Sequence, residues 1–349
     1  METKADSKTI DEIPKTMKTA IYDSWGEDPL KLIQIREVPV PTPGSGEILV
    51  RVNGASINPI DFKFLYGNYS IVAKTPWRPG FDVGGVVVAV GKSVTKFKVG
   101  DEIMGFAHFR VCSTMAEYVA IDSQVCTFKP KNMTCAEASA LPLAGLTSYQ
   151  ALLQAGIKKG QKVLILGGTG GTGSLGVQIA KHGFGASHVA VTCSVATNGE
   201  WIKGLGADQL VDYKTEKWWE VLKGQEYDIV YDCVGGYDPW VNSAQVLKKN
   251  GSYITICGDK GGKIGVGKIL SVGMANLNRK FWSLFGNPNY GSLVADNKRM
   301  DHMSVIREWV EQGKVKNVLE KTFPLSETAQ LFQLSMSGRT RGKAAIVIP

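Results

Sequence analysis

Between Lys162 and Gly258 the chain repeats one pattern: a short apolar run, a break, then a stretch whose apolar residues recur at helical spacing. The apolar runs are Val163–Leu166, His188–Cys193, Gln209–Val211, Tyr227–Tyr231 and Tyr253–Cys257. They are rich in β-branched and aromatic residues and do not alternate with polar ones, as expected of strands covered on both faces. Helix-compatible segments follow at Ser174–His182, Gly199–Leu205, Glu216–Lys223 and Trp240–Lys248. Repeated βα units of this size predict an α/β domain, a doubly wound parallel sheet with helices on both faces. Ligands of such sheets bind at the carboxyl ends of the strands.

The first half has another rhythm. Short β-like runs at Glu47–Val52, Val83–Val90 and Glu117–Ile121 are divided by turn-rich pieces such as Pro39–Gly46 and Val99–Asp101. This predicts a separate, mostly β domain. The chain closes on a further β-like run, Ala344–Ile348, which this reading returns to the first domain.

Composition adds bounds. A chain of 349 residues is long enough for two domains, since single cores stop growing at roughly 250–300 residues. Hydrophobic content of 44% and charged content of 21% are those of an ordinary soluble protein. No apolar run reaches the length of a membrane span. Residues Met1–Lys18 mix acids and bases without the apolar core of a signal peptide, and are too acidic for a transit peptide. They read as a solvated arm, with a cytoplasmic location to match. The net charge of +8 favours anionic partners. Its bases are spread along the chain with no aromatic-plus-basic motif, so the expected anion is a small molecule and not nucleic acid. The six cysteines are widely spaced, without a C-x-x-C pair, and read as packed thiols.

The most informative motif follows Val163–Leu166. Gly168, Gly170 and Gly173 stand at G-x-G-x-x-G spacing, between a strand and a helix. Glycine there permits the tight turn, lets backbone approach a pyrophosphate, and lets helix pack on strand. With Thr169, Gly171 and Thr172 they form a loop that presents free N–H groups at the positive end of a helix. Where NAD-selective folds end the second strand on an acid, this chain reads Thr192-Cys193-Ser194, and the first acid is Glu200. No carboxylate repels a 2′-phosphate, and Ser194, Thr197, Asn198 and Lys203 could accept one. NADPH is therefore the expected cofactor, although no arginine sits in the Ser194–Asn198 loop to grip the phosphate. The competing reading makes Ser194, Thr197 and Asn198 cap residues of the next helix. Val234, Cys257 and Gly258 follow strand ends and are expected to touch the cofactor through backbone.

Several segments together resemble the medium-chain dehydrogenase/reductase superfamily. They are Asn58-Pro59-Ile60-Asp61, Pro79–Val87, Val99-Gly100-Asp101, Ala140–Thr147, the glycine loop, Leu205–Asp208, Asp232–Gly235 and Gly338–Lys343. The resemblance implies a GroES-like β domain at residues 17–145, completed by 313–349, and a Rossmann domain at 146–312. Zinc-dependent members carry Cys, His-Glu and a further Cys or Asp as ligands. This chain has Asn58, Phe81-Asp82 and a position near Leu143. A phenyl ring and an amide cannot build a tetrahedral zinc site, so no metal is expected. The zinc-independent branch remains, close to the quinone oxidoreductases and enone reductases.

Such a relationship implies an NADPH-dependent oxidoreductase that passes hydride to a quinone or an α,β-unsaturated carbonyl. The alternatives are an enoyl-thioester reductase, or a non-catalytic NADPH-binding regulatory or RNA-binding protein. By resemblance Asn58 lies near the nicotinamide and acceptor; its competing role is a turn residue before Pro59. Tyr69 matches a tyrosine thought to donate a proton in enoyl-thioester reductases, or else it packs. Thr147 matches a residue near the nicotinamide ribose, or it caps a helix starting at Ser148. Tyr213 and Lys343 resemble residues lining the adenosine phosphate and the cofactor groove. His108 reads as structural. The stretch Phe281–Phe285 would wall the acceptor pocket or join two subunits of a homodimer.

Overall fold

The apolar runs of the second half become strands of one sheet. In the computed structural model the described residues are 13–108, 112–258, 266–283 and 288–349. Six parallel strands lie in the spatial order Gln209–Asp212, His188–Cys193, Lys162–Leu166, Tyr227–Asp232, Leu247–Thr255 and Asn289–Ser292. The strand that leads into the glycine loop is thus central, and the chain order reverses beside it, between Lys162–Leu166 and Tyr227–Asp232. A crevice opens at such a switch point. Val163, Leu164 and Ile165 are fully buried, which explains why that run never alternates with polar residues.

Two helices are shorter than their patterns, and of Glu216–Lys223 only Trp218–Val221 is helical. The segment expected to run from Trp240 to Lys248 is helical only over Tyr237–Ser243, and Leu247 already begins a strand. Val246 and Leu247 are buried against the sheet, with Leu247 paired to Tyr227. Their helical spacing records burial, and sheet pairing supplies it better. Asn250 then turns the chain at a φ of 65° before the main register resumes.

The closing run, Lys343–Val347, does return to the first half. It lies between Leu319–Pro324, in parallel, and Glu47–Ser56, antiparallel. The same sheet continues through Asp82–Val90, Glu102–Phe106 and Cys126–Phe128, while Tyr118–Asp122 also pairs with Glu47–Ser56. Gly84 lets the segment Cys135–Ala138 press onto this sheet: a methyl there would sit 1.9 Å from the Cys135 carbonyl oxygen. A hairpin of Thr16–Ile21 and Gln34–Pro39 precedes the sheet, so Thr16–Lys18 of the expected arm belong to a strand. Helix Pro142–Gln154 spans the expected domain boundary, carrying the chain from one sheet to the other. All six cysteines are free thiols, four of them buried and Cys233 and Cys257 half-buried.

Candidate active site

The glycine loop has the geometry its spacing promised. A methyl on Gly173 would lie 2.3 Å from the Gly167 carbonyl oxygen, and one on Gly168 would lie 2.2 Å from Val191 Cγ1. Close packing of helix and strand requires glycine at both. Gly170 differs, because nothing but the Gly167 oxygen, at 3.9 Å, approaches its missing side chain. It caps the helix Gly171–Gln178. The first-turn N–H groups of Gly171, Thr172 and Gly173 have no intrahelical acceptor, and the helix dipole adds positive potential. The loop is held from behind by the chain end, where the Gly342 N–H donates to the Thr169 carbonyl at 2.8 Å.

Beside the loop opens a cavity of about 670 Å³, lined by Thr169, Ser194, Asn198 and Tyr213 as expected. Arg339 and Arg341 line it too. Neither lies near the second strand in the chain, so the arginine-free Ser194–Asn198 loop gave no sign of them. Ser194 Oγ is buried without a hydrogen-bond partner, and so is Arg341 Nε. Unsatisfied buried donors are costly and mark where a polar ligand belongs. Arg341 is steadied from the other side by Glu320 at 2.6 Å and by the Trp201 ring, 5.4 Å from the guanidinium carbon. Tyr213 is 59% exposed at the mouth, an aromatic face free to stack on a flat ring. The donors present fit the phosphates of a dinucleotide, including one on the adenosine ribose.

At the other end of the crevice Asn58 is 2% exposed and opens the helix Pro59–Leu65. Its N–H donates to Asp61 Oδ2 at 2.9 Å, so the turn role and the site role coincide. Its amide nitrogen donates to Asp82 Oδ2 at 2.8 Å, and its amide oxygen accepts from Lys343 Nζ at 2.5 Å. Asp82 is fully buried and also accepts from Ser56 Oγ and the Leu143 N–H, each at 2.8 Å. Burial pushes the Asp61 carboxyl up to about 7, overriding the N–H groups of Asn58 and Gly80 that favour its charge; Asp82 pushes the same way. Burial likewise lowers the Lys343 ammonium, against the opposing pull of Asp82 and Asp61. Lys343 was expected in the cofactor groove. Its stem does lie on Gly171, whose missing methyl would stand 2.5 Å from Lys343 Cδ, but its charge is turned inward. With Phe81, Leu143 and an engaged amide at the remaining positions, this donor set does not suit zinc. Among the described residues no group of three His, Cys, Asp or Glu could hold a metal ion.

The other expected residues fall into place unevenly. Thr147 lies inside helix Pro142–Gln154 and donates back to the Leu143 carbonyl at 2.7 Å, so it caps nothing. Tyr69 stacks on Phe64 at 4.6 Å, and its hydroxyl has no hydrogen bond among the described residues. Burial raises it, keeping it protonated. Val234 stands 61% exposed at the strand end. The loop after it is preset by Asp232, which accepts from the N–H groups of Val234 and Gly235 at 2.9 and 3.0 Å, and from Tyr253 Oη and Thr255 Oγ1. Cys257 donates its thiol to the Cys233 carbonyl at 3.3 Å, next to Gly258. Lys63, on the helix that Asn58 opens, is close enough to draw the Cys257 thiol downward, against the dominant upward push of burial. No motif had pointed to this ammonium. His108 contacts Asn297 and Asp122, as a structural residue would. Of the aromatic stretch, Phe281 is exposed, and residues 284 and 285 lie outside the described residues.

Known proteins share this fold. The family model for an alcohol dehydrogenase GroES-like domain matches residues 44–152, and that for a zinc-binding dehydrogenase matches 205–346. The 2-methylene-furan-3-one reductase of Solanum lycopersicum is 35% identical over 352 residues, covering 98% of this chain and 82% of its own. The chloroplastic NADPH-dependent alkenal/one oxidoreductase of Arabidopsis thaliana is 31% identical, over 96% of this chain and 80% of its own. The solved quinone oxidoreductase of Coxiella burnetii superposes with a TM-score of 0.81 at 29% identity, over 96% of this chain and 100% of its own. The zinc in one family title is not matched by ligands here. The chain belongs to the medium-chain dehydrogenase/reductase superfamily, as an oxidoreductase of its quinone-oxidoreductase-like branch.

Proposed function

We propose that the protein is an NADPH-dependent reductase of quinones or α,β-unsaturated carbonyls. The observation that carries this is the cavity beside the glycine loop, where Ser194 Oγ and Arg341 Nε are buried without partners. The names of the relatives from Solanum and Arabidopsis support the acceptor class. NADPH, when bound, supplies the hydride, and the protein must seat it, exclude water and meet the charge that develops on the acceptor oxygen. Gly170–Gly173 would hold the pyrophosphate; Ser194, Asn198, Tyr213, Arg339 and Arg341 would hold the adenosine phosphate end. Thr147, Val234, Cys257 and Gly258 would border the nicotinamide.

On the acceptor side the described residues offer two donors. Lys63 would face the negative charge as it forms, and the free Tyr69 hydroxyl would give it a hydrogen bond or a proton. Donors of this kind suit conjugated acceptors, whose charge is delocalised over an enolate. Two further readings belong to the proposal. The chain divides into 17–145 with 313–349 and 146–312, and Arg339 and Arg341 of the first unit line the cofactor cavity of the second. A cytoplasmic location is kept from the sequence, and a homodimer is supported by Met274, Leu277 and Phe281, exposed on helix Val266–Ser283 beside the sheet-edge strand Asn289–Ser292.

The test is NADPH and NADH oxidation with a panel of 2-alkenals, cyclic enones, enoyl thioesters and quinones. Turnover with NADPH and an enone or quinone is expected, with Lys63→Met lowering kcat/KM about tenfold, near the 1.5 kcal/mol of one charge-assisted contact. Tight NADPH binding without turnover of any acceptor would overturn the reading in favour of a non-catalytic role.

A further inference from the structure

Lys343 is the residue at which the chain end meets both halves of the site. Its N–H donates to the Val318 carbonyl at 2.8 Å, and its stem lies across Gly171 in the glycine loop. Its ammonium, in a residue 4% exposed, passes the loop and donates to the Ile57 carbonyl at 2.8 Å, to Asn58 Oδ1 at 2.5 Å and to Asp82 Oδ2 at 3.3 Å. The Asn58 amide is consequently gripped at both ends, its oxygen by a cation and its nitrogen by an anion. A side-chain amide can turn over by half a rotation. Here the turned form would set an NH₂ against an ammonium and a carbonyl against a carboxylate, so one orientation is enforced.

We infer that Lys343 is a positioning residue, which with Asp82 locks the Asn58 amide in one orientation and ties that orientation to the cofactor loop through Gly171. The inference rests on the proposed NADPH-dependent reduction. In it, the glycine loop would hold the pyrophosphate, and the Lys343 stem on Gly171 links that loop to Asn58. Ser56 and the Leu143 N–H complete the cage by holding Asp82 still.

Lys343→Met keeps the stem and removes the charge. The expected result is at least a tenfold loss of kcat at saturating NADPH and acceptor, with the NADPH dissociation constant within twofold of wild type. A tenfold weaker NADPH affinity with kcat intact would make Lys343 a direct cofactor ligand and overturn the inference. So would wild-type kcat. The double variant Lys343→Met with Asn58→Ala should be no slower than Asn58→Ala alone; additive losses also overturn it. Lys343→Ala should regain activity with propylamine and not with 1-propanol, because the lost element is charge and not bulk.

A readout free of turnover keeps this separate from the proposed function. In protein labelled with ¹⁵N-asparagine, Lys343→Met should shift the Asn58 side-chain amide resonance and speed its exchange with solvent. An unmoved resonance refutes the inference even in an inactive protein. A wild type that reduces nothing refutes the proposed function while the resonance still decides the positioning role. Should Lys343→Met fail to fold, Lys343→Met with Asp82→Asn, neutral at both positions, carries the same expectations.

Discussion

Gly170 and Gly173 stand three residues apart in one loop, yet alanine at each should fail for a different reason. At Gly173 the added methyl would lie 2.3 Å from the Gly167 oxygen and 2.7 Å from Gly168 Cα, both backbone atoms that cannot swing aside. Real methyl contacts do not fall below 3.0 Å, so helix and turn must separate by at least 0.7 Å (3.0 − 2.3). Overpacking on this scale costs about 1–3 kcal/mol, and each kcal/mol is about 2–4 °C in a unit of 150–250 residues. The same shift would stretch a hydrogen bond from about 2.9 Å to about 3.6 Å, past its useful range. Losing one such bond to a phosphate is worth about 1.5–3 kcal/mol, or roughly 10- to 150-fold in affinity.

At Gly170 the methyl meets nothing closer than 3.9 Å, so Gly170→Ala should lose no more than about 1 kcal/mol, from its weaker cap. Its methyl would instead occupy the space against which the pyrophosphate rests. Differential scanning fluorimetry of the free protein and fluorescence titration with NADPH separate the two. Gly173→Ala should lower both Tm and affinity, and Gly170→Ala should lower affinity with Tm nearly intact. NADPH binding to Gly170→Ala within twofold of wild type would remove the pyrophosphate from this loop. An unchanged Tm for Gly173→Ala would remove the packing argument.

Three other substitutions probe the rest of the site. Arg341→Ala should raise KM for NADPH roughly 10- to 100-fold, the cost of about 1.5–3 kcal/mol for a lost charged contact, and leave KM for NADH unchanged; equal effects on both cofactors would place the phosphate elsewhere. Tyr69→Phe should lower kcat with enones at least tenfold while leaving NADPH affinity alone, and an unaltered kcat ends its role as donor. Asp61 sets a pH dependence: its proton is held more tightly in the fold, up to about 7 against 3.8 when unfolded. Its stabilising contribution is therefore full below about pH 4 and is lost as the pH rises towards 7, at no more than about 1.4 kcal/mol per pH unit. Asp61→Asn should flatten that slope in Tm between pH 4 and 7, and parallel profiles would refute the assignment.

Local features of this site were legible in the sequence because their causes are local. Gly173 is required by Gly167, six residues away, and the turn read at Asn58-Pro59 is completed by Asp61 within the next turn. Buried strands such as Val163–Leu166 show themselves by composition alone. Leu247 misled because an apolar residue at helical spacing and one facing a sheet differ only in what lies opposite. The grip on Asn58 joins residues 285 apart, and Asp82 meets Lys343 across 261, so no window along the chain contains either pair. Arg341 escaped for the same reason. Its place beside Ser194 follows from a strand that returns from the far end of the chain.

That returning strand also sets when the protein can work. Lys343–Val347 fills a slot between Glu47–Ser56 and Leu319–Pro324, so the slot stays open while the intervening 291 residues (347 − 56) are synthesised. At about 5–20 residues per second this lasts roughly 15–60 s. For that interval a nascent chain lacks the partner of Gly54–Ser56, the part of the strand that Tyr118–Asp122 leaves unpaired, and chains aggregate on such edges. The parallel sheet, complete by Ser292, can form first on the ribosome. Lys343 follows Asn58 by 285 residues, so a nascent chain lacks the contact that orients Asn58 until that whole stretch has been made.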